Sequence, residues 1–175
     1  MADAARVCLR AVQEQDLDYF RRWDRDPRVT RYAGTWLPPD QEPHQWLRDL
    51  RRDPRTMLFV IELPGGQPIG TIQLLDINWF KKAAELRISI GEPHLWGQGL
   101  GTEALGLLMR HLRERWGFRQ LYLRVAADNL RARRAYAKCG FRVEGVLPAE
   151  PGQGRPRKVI LMVLDLSALT ARWVG

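Results

Sequence analysis

The stretch Glu-Pro-His-Leu-Trp-Gly-Gln-Gly-Leu-Gly-Thr, at residues 92–102, decides how this chain is expected to fold. Its glycines alternate at Gly97, Gly99 and Gly101, directly after the apolar run 86–90 and directly before leucines at helical spacing. This order predicts a strand, a glycine turn and a helix. Glycines let main-chain N–H groups converge without a Cβ, and a helix N-terminus adds unpaired donors and partial positive charge. The stretch therefore predicts a phosphate cradle made of backbone.

Two common phosphate-binding motifs do not fit these glycines. The spacing is Gly-x-Gly-x-Gly instead of the Gly-x-Gly-x-x-Gly of dinucleotide-binding folds, and no acidic residue about 20 positions later ends a second strand. No Gly-Lys-Ser/Thr is present, so the P-loop interpretation fails as well. For this segment alone, the alternative is a tight glycine turn that binds nothing.

A second motif follows at residues 128–141. The segment 121–125 before it alternates apolar and polar residues, which predicts a strand. Asp128 or Asn129 can cap the next helix, and Gly140 can end it in a left-handed conformation. Small and polar residues share one face of that helix, which leaves room for a ligand: Asn129, Ala132, Ala135 or Arg133, and Tyr136.

Together the two motifs resemble the acetyl-CoA-binding motifs of the GNAT superfamily of N-acetyltransferases. The closer likeness is to its branch of ribosomal-protein N-terminal, spermidine and aminoglycoside 6′-acetyltransferases. The family's signature Gln/Arg-x-x-Gly-x-Gly/Ala matches at Gly99 and Gly101, with Trp96 at the first position. The resemblance covers roughly residues 56–165. The second signature, Asn-x-x-Ala-x-x-x-Tyr-x-x-x-Gly-Phe, matches at Asn129, Ala132, Tyr136, Gly140 and Phe141.

The resemblance implies an α/β fold whose central mixed, mostly antiparallel sheet is flanked by helices on both faces. The order of apolar patterns along the chain agrees with this. We expect a single N-acetyltransferase domain over 1–175, with acceptor-side helices and loops at 1–55 and an acetyl-CoA-binding core at 56–166. The patterns predict strands at 7–9, 85–90 and 158–166, a hairpin over 57–77, helices at 14–26 and 40–53, and a loop at 27–39.

Acetyl-CoA is the cofactor that the resemblance implies. Its pyrophosphate is expected on the glycine turn and its pantetheine arm along strand residues 88–90, where the family's strand separates from its neighbour. Arg131 or Arg133 and Lys138 could meet the 3′-phosphate, although a solvated basic face explains them equally well. The expected cofactor-binding residues are Ile88, Ser89, Ile90, Trp96, Gly97, Gln98, Gly99, Leu100, Gly101, Thr102, Asn129, Arg131, Ala132, Ala135, Tyr136 and Lys138.

Acetyl transfer needs a neutral amine, a proton for the departing thiolate and an N–H donor for the carbonyl oxygen. The resemblance places the hydroxyl of Tyr136 near the sulfur, and a phenol with a pKa near 10 can donate a proton at neutral pH. The alternative is that Tyr136 is only a core aromatic. Glu85 is the expected base, directly or through water, with Asp76 and Glu92 as alternatives. A solvated carboxylate at a strand end is the other interpretation of Glu85.

The acceptor site is less defined by the sequence. Aromatic and acidic residues between positions 19 and 46 suit a cationic amine through cation–π and charge contacts, although the aromatics could equally form a core. The segment 148–157 is rich in proline and glycine and could cover the acceptor cleft or form an exposed hairpin. The expected substrate-binding residues are Tyr32, Trp36, Asp76 and Glu85.

Three functional classes follow from these motifs. The first is an N-acetyltransferase for a primary amine of a small molecule: an aminoglycoside-type antibiotic, a polyamine or an amino sugar. The second is a protein or peptide N-terminal acetyltransferase, which would need an open groove. The third is a non-catalytic acyl-CoA-binding module, which the intact Tyr136 disfavours.

Composition and charge limit the kinds of molecule that this chain is expected to bind. The net charge is +8, but arginines alternate with acids and no nucleic-acid-binding signature appears, so the charge better suits an anionic cofactor. No apolar run reaches the roughly 20 residues that cross a membrane, and the N-terminus lacks the apolar core of a signal peptide. Cys8 and Cys139 are too few for a disulfide framework or a zinc site. We expect a cytoplasmic monomer or homodimer without metal, nucleic acid or membrane partners.

Overall fold

The chain folds around one mixed sheet. The computed structural model describes residues 5–148 and 158–168, and no helix among them is long and apolar enough to cross a membrane. The strands are β1 (Cys8–Ala11), β2 (Met57–Glu62), β3 (Pro68–Asn78), β4 (Ala83–Ile90), β5 (Gln120–Ala126), β6 (Arg142–Leu147) and β7 (Val159–Asp165). The helices are α1 (Asp16–Asp24), α2 (Pro27–Ala33), α3 (Pro43–Arg52), α4 (Leu100–Trp116) and α5 (Leu130–Lys138).

The described strands lie in the order β1-β2-β3-β4-β5-β7-β6. The pair β4 and β5 is parallel, and the other neighbouring pairs are antiparallel. The parallel pairing runs only from Ala83 opposite Gln120 to Glu85 opposite Tyr122. Beyond it the two strands separate, and we call the space between residues 86–90 and 123–126 the β4–β5 gap. The predicted mixed, mostly antiparallel sheet with helices on both faces is confirmed.

Two cores lie on the two faces of this sheet. Neighbouring β2 residues show the division, because Val60 packs in the smaller core and Ile61 in the larger one. Helix α4 and helix α5 each bury one face against strands β4, β5 and β7. Helices α1 and α3 bury Leu17, Phe20 and Leu47 in the smaller core. The apolar spacing of the helices therefore covers the sheet from both sides.

Helix α2 corrects the prediction of a loop over 27–39. Asp26 accepts a hydrogen bond from the N–H of Arg28, Pro27 is the first helical residue, and Gly34 follows the last residue with φ +70°. These are a side-chain N-cap, a proline at N1 and a positive-φ glycine after the C-terminus. Proline disrupts the interior of a helix, whereas at N1 its fixed φ favours a short helix.

Strand β6 was not predicted from the sequence. Its register shifts between Val143 and Gly145, so no regular alternation of apolar and polar residues marks it. The predicted loop or hairpin at 148–157 lies outside the described residues, apart from its first and exposed position, Pro148.

A buried ion pair connects β1 to α1. Asp16 is completely buried, and Arg10 donates hydrogen bonds to both of its carboxylate oxygens at 2.7 and 2.8 Å. Arg10 also donates to Glu62 at 2.5 Å. The hydrogen bonds to Asp16 are the main reason that the pKa of Arg10 is raised.

We expect Arg10→Ala to lower the free energy of unfolding by about 3–5 kcal/mol, because the charge of Asp16 would stay buried without an opposite charge, bound among the described residues only by the N–H of Gln13. Urea denaturation followed by circular dichroism measures the change. Arg21→Ala is the control: Arg21 pairs with Asp18 at an exposed site, and such pairs contribute roughly 0–1 kcal/mol. Equal losses of unfolding free energy in the two variants would show that the buried pair contributes no more to stability than the exposed one.

Candidate active site

The glycine turn, residues 96–101, has the geometry of an anion cradle. Gly97 and Gly99 adopt φ values of +78° and +81°, and Gly99 is the N-cap of α4. Within residues 5–148 and 158–168, no group accepts a hydrogen bond from the backbone N–H groups of residues 97–102. A row of unpaired donors at a helix N-terminus fits a diphosphate. The turn therefore suits the pyrophosphate of coenzyme A.

Gly101 differs from the other two glycines. It lies inside α4 without a positive φ, and a Cβ there would meet Ile90 at 3.7 Å and Ile88 at 3.8 Å, which are ordinary contacts. A left-handed backbone therefore requires glycine at Gly97 and Gly99, and not at Gly101. We expect a side chain larger than alanine at Gly101 to crowd the pyrophosphate.

Contacts distant in sequence hold the turn in place. Arg6 donates to the backbone oxygen of Gln98 at 3.1 Å and to the carboxylate of Glu103 at 2.9 Å. The indole N–H of Trp96 donates to the backbone oxygen of Ile90 at 2.8 Å. The guanidinium of Arg131 lies 4.0 Å from the centre of the Trp96 ring, a cation–π contact that joins α5 to the turn. No motif singled out Arg6, because its partners are about 90 residues away.

The edge of β4 that faces the β4–β5 gap is open over residues 86–90, since pairing with β5 ends at Glu85. Its other edge is hydrogen-bonded to β3, which fixes Ile88, Ser89 and Ile90 in position. A Cβ at Gly70 would overlap the backbone oxygen of Ser89, so β3 can approach this closely only with glycine. The unpaired edge suits the amide groups of a pantetheine arm.

The N-terminus of α5 lies on the other side of the gap. Asn129 accepts a hydrogen bond from the N–H of Ala132 at 3.3 Å, so Asn129, not Asp128, caps the helix. Gly140 follows with φ +95°, as predicted for the helix end. Ala132 and Ala135 are half-buried, and Lys138 is exposed. The small-residue face of α5 thus lies toward the larger core and Lys138 toward solvent.

Tyr136 lies on α5 in the larger core, 9% exposed, with its ring edge-on to Phe141 at 5.8 Å. Burial, with a smaller contribution from the Cys139 thiol, raises the pKa of Tyr136 to about 12. No described residue forms a hydrogen bond with its hydroxyl. The phenol therefore keeps its proton at neutral pH and has that proton available for a ligand.

Glu85 is held firmly where β4 and β5 separate. Its side chain is 3% exposed, and Arg124 binds both oxygens, from Nε to Oε1 at 3.1 Å and from Nη2 to Oε2 at 2.9 Å. The Nε atom of Arg87 lies 3.7 Å from Oε1. Glu85 is therefore a buried, ion-paired carboxylate, and the interpretation as a solvated strand end is wrong.

An open cavity of about 390 Å³ lies beside Glu85, on the sheet face opposite Tyr136. We call it the mixed-charge cavity. It brings together Asp76 and Glu85, which were predicted to contact substrate, but not Tyr32 or Trp36. Its lining residues are Asp53, Arg55, Thr56, Leu75, Asp76, Glu85, Arg87 and Arg124.

The acidic side chains of this cavity are balanced by arginines. Arg55 donates to Asp76 at 2.9 Å, and Arg124 and Arg87 face Glu85, so each of these acids has an arginine partner. Asp53 accepts from the N–H of Arg55 and from Thr56. The described lining of the mixed-charge cavity therefore carries no excess of negative charge.

The other residues predicted to bind substrate or to act as the base contact neighbouring side chains of the fold. Trp36 packs against Trp23 with ring centres 5.3 Å apart and donates to Thr71 at 2.8 Å. Tyr32 is exposed, 3.5 Å from Asp128. Glu92, an alternative base, is nearly buried and accepts from Arg22 and from the indole of Trp23. The tryptophans of the N-terminal segment thus belong largely to the smaller core.

The sequence of this chain is similar to that of known proteins. Residues 6–142 match the family model described as an acetyltransferase (GNAT) domain. A spermidine N(1)-acetyltransferase of Escherichia coli K12 is 34% identical over 154 residues, covering 86% of this chain and 80% of that protein. A counterpart in Vibrio cholerae is 27% identical over 150 residues, covering 83% of this chain and 84% of that protein.

Solved structures agree in fold. The crystal structure of spermidine N-acetyltransferase from Vibrio cholerae in complex with CoA and spermine superposes with a TM-score of 0.82 at 24% identity, covering 97% of this chain and 99% of that one. The glycine turn, the open strand edge and the family match thus point to one cofactor and one reaction. The chain belongs to the GNAT family and is an N-acetyltransferase that uses acetyl-CoA as its acetyl donor.

Proposed function

We propose that this enzyme acetylates the primary amine of a small aliphatic molecule of the polyamine class or close to it, in the mixed-charge cavity. One observation carries the proposal: Asp76 and Glu85 line a cavity at the point where β4 separates from β5. A volume of about 390 Å³ suits a small acceptor. Two relatives are named spermidine N(1)-acetyltransferases, which supports an aliphatic amine.

The proposed chemistry divides between the two faces of the sheet. Bound acetyl-CoA supplies the thioester that the amine attacks. The backbone N–H groups of residues 97–102 hold its phosphates, and a main-chain N–H of residues 88–90 donates to the carbonyl oxygen as charge develops there. Tyr136 gives its proton to the departing sulfur from the α5 side.

Glu85 has a narrower role than a free base. Arg124 occupies both of its oxygens, so direct proton abstraction would compete with two charge-assisted hydrogen bonds. We propose that Glu85 orients the amine and that a water beside it removes the proton. Asp76, paired with Arg55 at a more exposed site, is the second carboxylate that can receive an ammonium group.

Initial rates of thiol release test the acceptor class. Spermidine, spermine and putrescine are compared with aminoglycosides and with short peptides that have free N-termini, all at saturating acetyl-CoA. We expect the aliphatic amines to have the highest kcat/KM. Fastest turnover of peptides would overturn the proposal in favour of an N-terminal acetyltransferase, and fastest turnover of aminoglycosides would favour an antibiotic-modifying enzyme.

The expectations about domain division, cellular location and assembly are part of the same proposal. The division into an acceptor side at 1–55 and a cofactor core at 56–166 stays a prediction, as does a cytoplasmic location. A Vibrio cholerae relative with a TM-score of 0.77 at 25% identity, covering 93% of this chain and 95% of that one, is described as dodecameric. An assembly larger than the expected monomer or homodimer is therefore the competing possibility, and light scattering after gel filtration distinguishes them.

A further inference from the structure

The acidic and basic side chains that line the mixed-charge cavity are equal in number. Asp53, Asp76 and Glu85 face Arg55, Arg87 and Arg124. A purely cationic acceptor would have to enter beside three guanidinium groups, in a chain whose net charge is already +8. A cavity that alternates both signs is complementary to an acceptor that itself carries both signs.

Arg87 is the arginine best placed to bind an anionic group. Its side chain is 57% exposed, and its contact with Glu85 at 3.7 Å is longer than a hydrogen bond. Within the described residues the guanidinium of Arg87 forms no hydrogen bond, so its N–H donors are available to a ligand. A guanidinium binds a carboxylate through two parallel hydrogen bonds, which an ammonium group cannot do.

Glu85 and Arg87 can contact one small acceptor together. They are two residues apart on β4, so their side chains lie on the same face of the sheet. The Nε atom of Arg87 lies 3.7 Å from Oε1 of Glu85, so a small molecule that carries both an amine and a carboxylate can reach both side chains. Asp76, on the neighbouring strand, is close enough in the cavity to receive a second ammonium group.

We propose that the acceptor is an amine that also carries a carboxylate, with Arg87 binding the carboxylate while Glu85 orients the reacting amine. This inference rests on the proposed function and narrows its substrate class to basic amino acids of the ornithine and lysine type. In the reaction a C–N bond forms to the side-chain amine and the C–S bond of the thioester breaks. The amine loses one proton to water, and Tyr136 supplies one to the thiolate and recovers it from solvent. The products are the ω-N-acetyl amino acid and coenzyme A.

Matched acceptor pairs test the carboxylate directly. Ornithine is putrescine with one added carboxylate, and lysine is cadaverine with the same addition, so each pair isolates this group. We expect kcat/KM for ornithine to exceed that for putrescine by about tenfold or more, the usual effect of a hydrogen bond between charged groups. The difference should lie mainly in KM, and NMR of the product should locate the acetyl group on the side-chain nitrogen.

Two variants assign the effect to Arg87. Arg87→Gln should bring the ornithine-to-putrescine ratio of kcat/KM close to one, and Arg87→Lys should restore part of it. Arg21→Gln, at an exposed position on α1, is the control and should leave the ratio as in the wild type. Thermal unfolding of each variant shows whether it is folded, and the wild-type ratio alone tests the inference if a variant is not.

The possible failures can be told apart. If the wild type acetylates putrescine as well as or better than ornithine, the carboxylate inference is overturned while the proposed aliphatic-amine function stands. A wild-type preference for ornithine that persists in Arg87→Gln would also overturn it, because another group would then bind the carboxylate. If peptides turn over and neither aliphatic pair does, the proposed function itself fails.

Discussion

Tyr136→Phe is expected to lower kcat by about 10²–10⁴-fold while changing the KM for acetyl-CoA little. The substitution removes only the hydroxyl, and the ring that packs against Phe141 in the larger core remains. If the hydroxyl donates a proton to the departing thiolate, its loss affects the transition state much more than the bound cofactor. Steady-state kinetics, with single-turnover measurements to isolate the chemical step, give both constants.

The pKa of Tyr136 adds a second check. Because burial raises this pKa to about 12, the phenol stays protonated over the whole range in which amines lose their protons. The wild-type rate should therefore rise with pH as the amine deprotonates, with no fall below about pH 10. Tyr19→Phe, on α1 beside Trp23, is the matched control for loss of a tyrosine hydroxyl. An unchanged kcat in Tyr136→Phe when chemistry limits the rate would remove Tyr136 from the mechanism.

Gly99→Val is expected to abolish detectable acetyl-CoA binding. Gly99 has φ +81° as the N-cap of α4, a conformation that a β-branched residue strongly disfavours. A Cβ at this position would also lie 3.4 Å from the guanidinium of Arg6, which holds the turn. The substitution therefore changes the backbone of the cradle as well as the space above it.

Calorimetric titration with acetyl-CoA measures this loss, and thermal unfolding shows whether the variant is folded. Gln98→Ala is the control, since it changes a side chain of the same turn and leaves the backbone able to adopt its conformation. Its affinity should stay close to that of the wild type. Normal affinity in Gly99→Val would mean that the phosphates bind elsewhere.

The sequence predicted best the parts of the molecule that depend on neighbouring residues. The glycine turn before a helix, a cap at Asp128 or Asn129 and Gly140 as a helix end are local backbone features, and each follows from residue types in a known position. The short helix α2 was not predicted although its signals are also local, because a short segment with prolines and a glycine is also typical of a loop. Strand β6 was missed because its bulge removes the alternation that marks a strand.

The rest of the site depends on side chains that are distant in sequence. Glu85 and Arg124 are 39 residues apart, and Arg6 and Gln98 are 92 apart, so only the folded sheet shows that they meet. The same holds for Gly70, whose contact with the backbone of Ser89 depends on the register of β3 against β4. Residue types alone do not show that Asp76 and Glu85 are each paired with an arginine in the mixed-charge cavity.

The short parallel pairing at Ala83–Glu85 has a consequence for the order of events in catalysis. It is the join between two halves of the sheet, β1–β4 and β5–β7–β6, and hydrogen bonds cross it over a few residues only. Few backbone hydrogen bonds therefore oppose a small hinge motion there, and the ion pair between Glu85 on one side and Arg124 on the other is the side-chain contact that such a motion would alter. A cofactor arm hydrogen-bonded along the open edge of β4 would restrict this motion and give the cavity its final shape. Sequential kinetics with acetyl-CoA binding before the amine would follow directly from that architecture.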